Sequence, residues 1–543
     1  MKNRKPPSTD LFPSSLLAES QRVLGEEFSR LPKRIQTGYT LVFWNHSGLI
    51  RHNTHNRRPD SFPMDTKERA RYFTDPRNFN AVNDNGYYLR LKSTGEYALR
   101  RKDEEGAIFH QPTNWLIKTI EAFVGWKKVG VTGSKNGYQL TPKIQGLVDD
   151  WFEKPRGALI EPIGLVNRNG DSASKIAKHF GGAICRDKSK TSKNVNINAL
   201  IKVDTESLKL HKEQLTYTLR KLEEYKAEEL PEGTKEWLEL LGKLQVEEGK
   251  EREGKTGGKN LQTLGGVKVI NILSKPLESL ASKDFERDGV KSRILEINKL
   301  LATTREENSS TIPIFYDEVR TGRYTAKNGV IQGYHKSVRY AALKGCYEYD
   351  LEAAHQNILV QLLDSKKIDF PELEVLREYI KDKKNIRQQL AKELTTSVDI
   401  VKQIIQALTY GAQLSRSKKR ALYDICEGNM ELVERAIINP WLEKLAKTFL
   451  IAHKHLIGDK KILKNAVGIK SELLSGKAQL MAHMLQGYER LVLDVLIEHS
   501  KPEDVALLVH DCIVYYTPKN TTDLSRIIYE ETGFNLAFSE EPY

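Results

Sequence analysis

Two aspartates, each beside an apolar strand-like run, constrain this chain more than any other feature of its sequence. Residues 346–350 form a short run that ends on Asp350, and residues 505–516 form two apolar or aromatic runs that flank Asp511. The first pattern predicts a strand and the second a β-hairpin. Residues 397–410, between them, have the spacing of an amphipathic helix. The three stretches therefore predict a strand, a helix and a hairpin, with an aspartate at the end of the strand and another at the bend of the hairpin.

The net charge favours a polyanionic partner. The 543 residues include 85 Lys plus Arg against 72 Asp plus Glu, which gives a formal net charge of +13 at pH 7. Lysine and arginine side chains neutralise phosphates and release counterions, so a basic chain of this size fits nucleic acid. Many basic proteins bind no nucleic acid, however, and the charge alone does not separate the two classes. A chain of this length has room for several domains.

The cysteines and the N-terminus indicate a reducing compartment. Four cysteines occur, and their spacing fits neither a zinc site nor a disulfide framework. The first residues are charged and no apolar run follows them, which argues against a secretory signal. No stretch reaches the length of a membrane span. The sequence therefore predicts a cytoplasmic protein, or one in an equivalent compartment that contains nucleic acid, without membrane association.

Residues 1–195 have a composition of their own and predict a separate mixed domain, a candidate for nucleic acid binding. Residues 114–123 are helix-like, and residues 126–140 alternate like a hairpin with residues 135–137 as its turn. A helix followed by a basic hairpin fits a winged helix. Any other small α+β domain also fits, and that more general interpretation is favoured.

Two long amphipathic helices are expected in the middle of the chain. Residues 204–228 and 285–306 carry Leu and Ile at helical spacing, with charges elsewhere. Residues 247–259 lie between them and are charged and Gly-rich, which indicates an exposed loop. Such a run is usually a solvated surface, and beside a nucleic acid site it also fits phosphate contact.

The chemistry that fits a pair of rigidly held carboxylates is phosphoryl transfer with two divalent metal ions. One ion activates an attacking hydroxyl and the other holds a triphosphate, at a separation of about 3.5–4 Å. Mg²⁺ prefers hard oxygen ligands, which Asp350 and Asp511 offer. An aspartate between an apolar strand and a helix is otherwise often a helix cap, and for Asp350 alone that interpretation is favoured. The second aspartate and the intervening helix shift the balance toward a catalytic site.

One face of the intervening helix carries polar groups suited to a nucleotide. Lys402, Gln406 and Tyr410 follow one another at intervals of four residues and therefore share a face. A cation there can grip a triphosphate while an aromatic ring stacks near a base. Gly411 lets another backbone or a base pair approach the helix end closely. A merely packed helix with a glycine cap explains the glycine but neither the lysine nor the tyrosine.

These stretches resemble, in order, four motifs of the family A polymerases. That family comprises bacterial DNA polymerase I and its relatives, including the phage and mitochondrial single-subunit RNA polymerases. Residues 320–323 resemble the Thr-Gly-Arg element that precedes the palm, and residues 349–359 resemble motif A. Residues 402–411 resemble motif B with the family's Lys-to-Tyr spacing, and residues 508–511 resemble motif C. The resemblance covers residues 313–543, and with weaker matches it extends back over the long helices.

The resemblance implies an α+β fold, a right-hand polymerase with palm, fingers and thumb and an additional mixed N-terminal domain. The implied divisions are an accessory domain at 1–195, a thumb-like helical region at 196–312, palm with motif A at 313–360, fingers with motif B at 361–460, and palm with motif C at 461–543.

The resemblance also implies roles for individual residues. The metal site, for two Mg²⁺ ions with Mn²⁺ as an alternative, would use Asp350, Asp511 and Leu351. The expected catalytic residues are Asp350, Asp511, Lys402 and Tyr410. The expected nucleotide-binding residues are Lys402, Gln406, Tyr410, Gly411, His355 and Leu351. The expected nucleic-acid-binding residues are Arg320, Arg323, His483, Gln486 and His510.

Four departures from the family pattern bear on which sugar the chain uses. DNA-making members typically carry Glu five residues after the first aspartate of motif A, to exclude the ribose 2′-hydroxyl, and this chain has His355 there. They carry an aromatic residue where this chain has Gln406, and Glu where it has Cys512. The family's Arg four residues before the motif B lysine is replaced by Val398. Histidine at position 355 can block ribose by its size, or accept ribose through a ring nitrogen.

The local motifs and the intervals between them point to different members of the family. Residues 509–512, Val-His-Asp-Cys, and His483 resemble the mitochondrial-type RNA polymerases. The intervals resemble the compact DNA polymerases, with 27 residues from Arg323 to Asp350 and 52 from Asp350 to Lys402.

The leading expectation is a template-directed DNA polymerase that uses a nucleic acid primer–template and nucleoside triphosphates, of the kind that replicates a plasmid or phage. A single-subunit RNA polymerase or primase is the close alternative. A nucleic-acid-binding protein on an inactive polymerase scaffold is a further one, and the retained Asp350, Asp511, Lys402 and Tyr410 argue against it. A nuclease would need further clustered acidic ligands, which the sequence does not show.

Overall fold

The chain, seen in a computed structural model, folds into two compact units, each built from discontinuous parts. Unit one comprises residues 1–179, 202–313 and 327–344, and unit two comprises residues 180–201, 314–326 and 345–543. The structure describes residues 7–30, 33–46, 62–64, 87–91, 97–102, 108–110, 126–132, 135–140, 142–167, 169–185, 196–224, 261–264, 267–270, 283–318, 321–326, 331–418, 420–471, 477–509 and 511–543.

The helices up to residue 344 include the two long ones that the sequence predicts. Thr205–Glu224 and Lys283–Glu307 correspond to the predicted segments 204–228 and 285–306. In chain order the helices are α1 (Ser14–Arg30), α2 (Lys33–His46), α3 (Pro142–Glu153), α4 (Ala173–Phe180), α5 (Thr205–Glu224), α6 (Lys283–Glu307) and α7 (Lys336–Ala342), with a 3₁₀ turn at Arg156–Ala158.

The core of unit one joins the start of the chain to α6. Phe12 and Trp151 belong to a buried apolar cluster that also includes Ala302 of α6. The Arg305 guanidinium lies over the Trp151 ring, 4.5 Å from its centroid. Residue 195, the boundary that composition suggests, is therefore not a packing boundary, because residues on both sides of it share one core.

The strands up to residue 313 form small sheets of two or three strands. The three-stranded sheets have the orders β2-β7-β6 and β3-β4-β5, and the two-stranded ones include β1-β8 and β10-β11. Their bounds are β1 (Phe12–Pro13), β2 (Phe62–Met64), β3 (Tyr87–Leu91), β4 (Tyr97–Lys102), β5 (Ile108–His110), β6 (Trp126–Thr132), β7 (Lys135–Leu140), β8 (Leu165–Val166), β9 (Leu200–Lys202), β10 (Leu261–Leu264), β11 (Val267–Ile270) and β12 (Thr311–Pro313).

The hairpin predicted at residues 126–140 is present, but its turn is not where the sequence places it. Thr132 pairs with Lys135, so the chain reverses between these two residues, and residues 135–137 lie inside β7. Asn136 and Gly137 pair with residues of β6 inside the ladder, so the Asn-Gly pair, which favours a two-residue turn, does not mark the turn here. The helix predicted at residues 114–123 lies outside the described residues.

Unit two is organised around a four-stranded antiparallel sheet in the order β16-β17-β15-β18. The strand predicted at 346–350 and the hairpin predicted at 505–516 both belong to it, as the apolar runs indicate. The strands of this unit are β13 (Tyr316–Glu318), β14 (Tyr324–Ala326), β15 (Tyr347–Leu351), β16 (Val505–Val509), β17 (Cys512–Tyr515) and β18 (Phe538–Pro542).

Helices fill the chain between β15 and β16. The helix predicted at 397–410 spans Val398–Thr409, because Ser397 caps its N-terminus by accepting a hydrogen bond from the Ile400 amide. The helices are α8 (Ala354–Ser365), α9 (Leu373–Lys381), α10 (Lys383–Glu393), α11 (Val398–Thr409), α12 (Ala421–Ile425), α13 (Met430–Ile438), α14 (Pro440–Leu456), α15 (Lys477–Glu498) and, after the hairpin, α16 (Thr521–Thr532).

Among the described residues, no helix combines the length and the apolar character needed to cross a membrane.

Candidate active site

The two predicted aspartates lie side by side at one end of the central sheet. Asp350 of β15 stands opposite Cys512 of β17 in the antiparallel register, and Asp511 immediately precedes Cys512. The possible ligand atoms of these three side chains all lie within 4.8 Å of one another. Asp350 and Cys512 belong to neighbouring strands and Asp511 is directly bonded to Cys512, so sheet hydrogen bonds help to hold the cluster.

Packing behind β15 fixes the strand that carries Asp350. Tyr349 is fully buried and meets the Tyr515 ring edge-on, with centroids 5.8 Å apart. Its hydroxyl donates a 2.9 Å hydrogen bond to the Lys519 carbonyl. Because side chains alternate along a strand, burial of Tyr349 on one face directs Asp350 to the other.

Burial and a second carboxylate disfavour ionisation of Asp350. Burial, with the nearby charge of Asp511 as the next cause, raises the pKa of Asp350 to about 6, while Lys402 opposes the rise. The Cys512 thiol donates a 3.1 Å hydrogen bond to Asp350 Oδ1. Burial, with Asp350 as the next cause, holds the pKa of the thiol itself well above its usual range. Cys512 is therefore a neutral donor here, and the two carboxylates supply the negative charge.

This arrangement fits divalent metal ions. Two carboxylates held together repel each other, and a cation between them relieves that repulsion. Their oxygen atoms are the ligands that Mg²⁺ prefers. Leu351, the third predicted ligand, ends β15 and pairs in register with Phe538, and its metal role stays a prediction. Cys512 belongs to the cluster and was not predicted as a ligand.

Helix α11 has one buried apolar face and another face that carries the predicted polar residues. Ile404, Ile405 and Leu408 are buried, whereas Lys402 is exposed. The charge of Lys402 lowers the pKa of Asp350, so the cation acts on the carboxylate cluster. The apolar residues of the helix therefore pack as the simpler interpretation expects, and the nucleotide role of the polar face stays a prediction.

The end of α11 requires a glycine. Gly411 has a φ of 91°, a conformation that L side chains rarely adopt. A Cβ at this position would lie 2.7 Å from Cε1 of His453, a buried histidine of α14. The group that approaches Gly411 in the structure is a side chain and not a backbone segment, and approach by a base pair stays a prediction.

His355 lies at the start of α8 and connects to α11. Ala353, just before the helix, adopts a left-handed conformation with a φ of 48°, which turns the chain sharply from β15 into α8. His355 Nδ1 lies 2.9 Å from the Tyr410 hydroxyl and 3.0 Å from Nε2 of Gln406. Burial is the main cause that raises the pKa of Tyr410.

A buried glutamate that the sequence reasoning missed completes this group. Glu489 of α15 is fully buried, and its Oε2 lies 2.7 Å from His355 Nε2. Arg323 reaches the same carboxylate with two nitrogens, and its Nε donates to Oε1 at 2.7 Å. Burial opposes the charge of Arg323, yet the Glu489 carboxylate raises the pKa of Arg323. The sequence signal was weak, because Glu489 is one of three acidic residues in this largely apolar helix, with Asp494 and Glu498.

The residues predicted to contact nucleic acid lie in different environments. Arg320 and His510 lie outside the described residues. His483 is fully buried with its Nε2 2.9 Å from the Ile469 carbonyl, so contact with nucleic acid would require this side chain to be uncovered. Gln486 is half-buried and hydrogen-bonds Tyr410, which places it with the predicted nucleotide residues.

Comparison with known proteins gives limited similarity. No protein-family model and no curated protein matches the chain. Among solved structures, the chain is similar to the POL domain of Pol1 from M. smegmatis, solved in complex with DNA primer-template and dNTP. The identity is 12% and the TM-score 0.37, over 64% of this chain and 67% of that chain. The activity proposed below therefore rests on the residues of the site.

Proposed function

We propose that the chain is a template-directed nucleotidyltransferase with a family A-like centre, and more specifically a DNA polymerase, of the kind that replicates a plasmid or phage. The juxtaposition of Asp350, on β15, with Asp511, directly before the neighbouring strand β17, carries the proposal. Two carboxylates at this separation suit two Mg²⁺ ions, which when bound activate a hydroxyl and neutralise phosphate charge. A protein that only binds nucleic acid has no need to hold two mutually repelling carboxylates together.

Helix α11 would hold the incoming nucleotide. Lys402 lies on the exposed face of α11 and acts electrostatically on Asp350, so a triphosphate bound at the aspartates would come within its field. A charge-assisted contact from lysine to phosphate orients the group and offsets its charge. Tyr410, at the far end of the same face, would stack near the base.

The environment of His355 favours deoxyribonucleotides. The ring is buried and both of its nitrogens face protein groups, Glu489 on one side and Tyr410 on the other. A ring nitrogen that is already engaged is a poor partner for a ribose hydroxyl, whereas the bulk of the ring remains. This supports exclusion of ribose by size, and it weakens the case for the RNA polymerase or primase alternative.

The division into palm, fingers and thumb is part of the same proposal. Residues 313–360 and 461–543 would form the palm, because they supply the strands of the aspartate-bearing sheet. Residues 361–460 would form the fingers and residues 196–312 the thumb. Residues 1–195 would bind or recruit nucleic acid, and the part of this segment that belongs to unit one, residues 1–179, contributes to the core of that unit.

Primer extension tests the proposal. The full chain is incubated with a labelled primer annealed to a template, MgCl₂, and either dNTPs or NTPs. Asp350→Asn and Asp511→Asn should each abolish nucleotide addition while leaving binding of the primer–template largely intact, because they remove metal ligands and little else. Asp504→Asn is the matched control, since Asp504 precedes β16 at the opposite end of the same hairpin and pairs with Lys519.

Each outcome of the extension assay is informative. Extension by wild type and by Asp504→Asn, with none by the two site variants, supports the proposal. Near-normal extension by either site variant removes the catalytic assignment. Binding of primer–template without extension under any nucleotide or metal condition would favour the non-catalytic scaffold.

A further inference from the structure

We propose that Glu489 is a positioning residue for nucleotide selection. It holds the His355 imidazole with its proton on Nε2, so that Nδ1 stays free to accept a hydrogen bond from Tyr410. The inference rests on the proposed function, because His355 and Tyr410 are the residues expected beside the sugar and base of the nucleotide.

Glu489 is placed to act on one side chain in particular. Its carboxylate is fully buried within α15, and a buried carboxylate needs charged or hydrogen-bonding partners. Arg323 supplies the countercharge by a two-nitrogen contact. The Oε2 atom also lies 2.7 Å from His355 Nε2, an ion-pair distance without the alignment of an ideal hydrogen bond.

This distance determines which ring nitrogen of His355 carries the proton. If Nε2 bore a lone pair, it would face a carboxylate oxygen at 2.7 Å, and two acceptors at that separation repel each other. Nε2 is therefore the protonated nitrogen. The partner on one side of an imidazole fixes the role of the nitrogen on the other side.

The other ring nitrogen of His355, Nδ1, faces hydrogen-bond donors. Gln406 points its Nε2 at His355 Nδ1 from 3.0 Å, and an amide nitrogen only donates. The orientation of that amide is set by Gln356, whose Nε2 donates to Gln406 Oε1 at 3.4 Å and to Thr409 Oγ1 at 2.8 Å. Nδ1 is thus an acceptor, and the Tyr410 hydroxyl at 2.9 Å donates to it.

The consequence is a Tyr410 hydroxyl that is held from two sides. Its proton is directed at His355, and Gln486 of α15 hydrogen-bonds the same hydroxyl. A phenol held in this way keeps its ring at one angle. Loss of the Glu489 charge lets the imidazole proton move to Nδ1, which turns an acceptor for Tyr410 into a second donor. We expect the ring of Tyr410 to lose its fixed orientation and the site to discriminate sugars less well.

Glu489→Gln is the informative substitution because it keeps the shape of the side chain and removes its charge. The first measurement needs no enzymatic activity. Histidine ¹⁵N NMR of the full chain, with the His355 signals assigned by their loss in His355→Asn, reports which nitrogen is protonated. We expect the Nε2-protonated form in wild type and a shift toward Nδ1 protonation in Glu489→Gln. An Nδ1-protonated ring in wild type overturns the inference.

The second measurement is kinetic and uses the ratio of kcat/KM for dNTP to kcat/KM for NTP. Glu489→Gln should lower this ratio about tenfold, within the range of coupling between contacting residues. The same substitution in a Tyr410→Phe background should have little further effect on the ratio, because the hydroxyl through which it acts is absent. Full additivity of the two substitutions overturns the inference.

Asp494→Asn is the matched control for loss of a buried carboxylate from the same helix. Asp494 also lies in α15, and its partners are Arg490 and Tyr324. It should lower stability and leave the sugar ratio within about twofold of wild type. A drop in the ratio equal to that of Glu489→Gln would show that any damage to α15 has this effect, and would overturn the specific role of Glu489.

The outcomes separate this inference from the proposed function. Extension by wild type with an unchanged sugar ratio in Glu489→Gln removes the role of Glu489 and leaves the polymerase proposal standing. Absence of extension by wild type with either sugar removes the polymerase proposal, and the NMR result then stands as a statement about the ring alone.

Discussion

His355 at the start of α8 and Tyr410 at the end of α11 meet at 2.9 Å through the imidazole Nδ1 and the phenol hydroxyl. Their rings are 5.4 Å apart between centroids and tilted by 60°. The two side chains therefore fix each other's position. A change at either position should alter the shape of the expected sugar pocket as well as its hydrogen bonds.

Removal of the His355 ring should admit ribose. Wild type should prefer dNTPs, with weaker discrimination than a glutamate gives, and His355→Ala should raise ribonucleotide incorporation because the bulk beside the sugar is lost. Parallel extension assays with dNTPs and NTPs measure this. His455→Ala is the control, since His455 is an exposed histidine of α14 that stacks on Phe370. A wild-type preference for NTPs, or selective loss of NTP use in His355→Ala, would favour an RNA polymerase or primase.

Lys402→Ala should raise the nucleotide KM and lower the rate. A charge-assisted phosphate contact contributes roughly 1.5–3 kcal/mol, so kcat/KM should fall on the order of tenfold or more. Gln403→Ala is the matched control, because Gln403 is exposed on the same helix and its replacement removes no charge. Steady-state kinetics at saturating primer–template decide the matter, and unchanged constants would mean that Lys402 only solvates the helix.

Local patterns predicted the individual strands and the helix that carry the site residues. The strand with Asp350, the hairpin with Asp511 and the helix with Lys402 follow from periodicity, which depends on residues a few positions apart. Their meeting at one end of a sheet follows from the strand pairing of Asp350 with Cys512. The sequence could support that pairing only through the resemblance.

Long-range partners explain what the sequence did not predict. Glu489 pairs with Arg323 across 166 residues, and no local pattern indicates which buried acid meets which base. The packing of α6 against the first residues of the chain likewise depends on long-range contacts, since Ala302 lies in the same core as Phe12 and Trp151. Composition changes near residue 195 could not reveal this.

Gly411→Ala should destabilise the chain more than an alanine at another left-handed glycine. The new Cβ meets both an unfavourable φ and the His453 ring at 2.7 Å, and the combined cost should be about 1–3 kcal/mol or more. Gly533→Ala is the control, because Gly533 has a φ of 76° with nothing within 4 Å of the added Cβ. Thermal unfolding of both variants isolates the contribution of His453. Equal shifts in Tm would remove the close approach as a cause.

The last prediction concerns the pH dependence of stability without metal. The folded state raises the pKa of Asp350 from 3.8 to about 6, so between these values the folded chain holds a proton that the unfolded chain has released. Stability therefore rises as pH falls through this window and declines as pH rises through it. Asp350→Asn has no such proton. Relative to wild type it should gain about 1–3 kcal/mol of stability between pH 4 and pH 7.

Unfolding of chelator-treated protein over a pH series measures this difference, with Asp504→Asn expected to follow wild type. Addition of MgCl₂ near neutral pH should then stabilise wild type and not Asp350→Asn, because a cation binds the charged pair of the folded state only. Parallel pH curves for wild type and Asp350→Asn would show that burial and Asp511 do not raise the pKa of the Asp350 carboxyl group. Equal stabilisation of both proteins by Mg²⁺ would place the bound cation elsewhere than at this cluster.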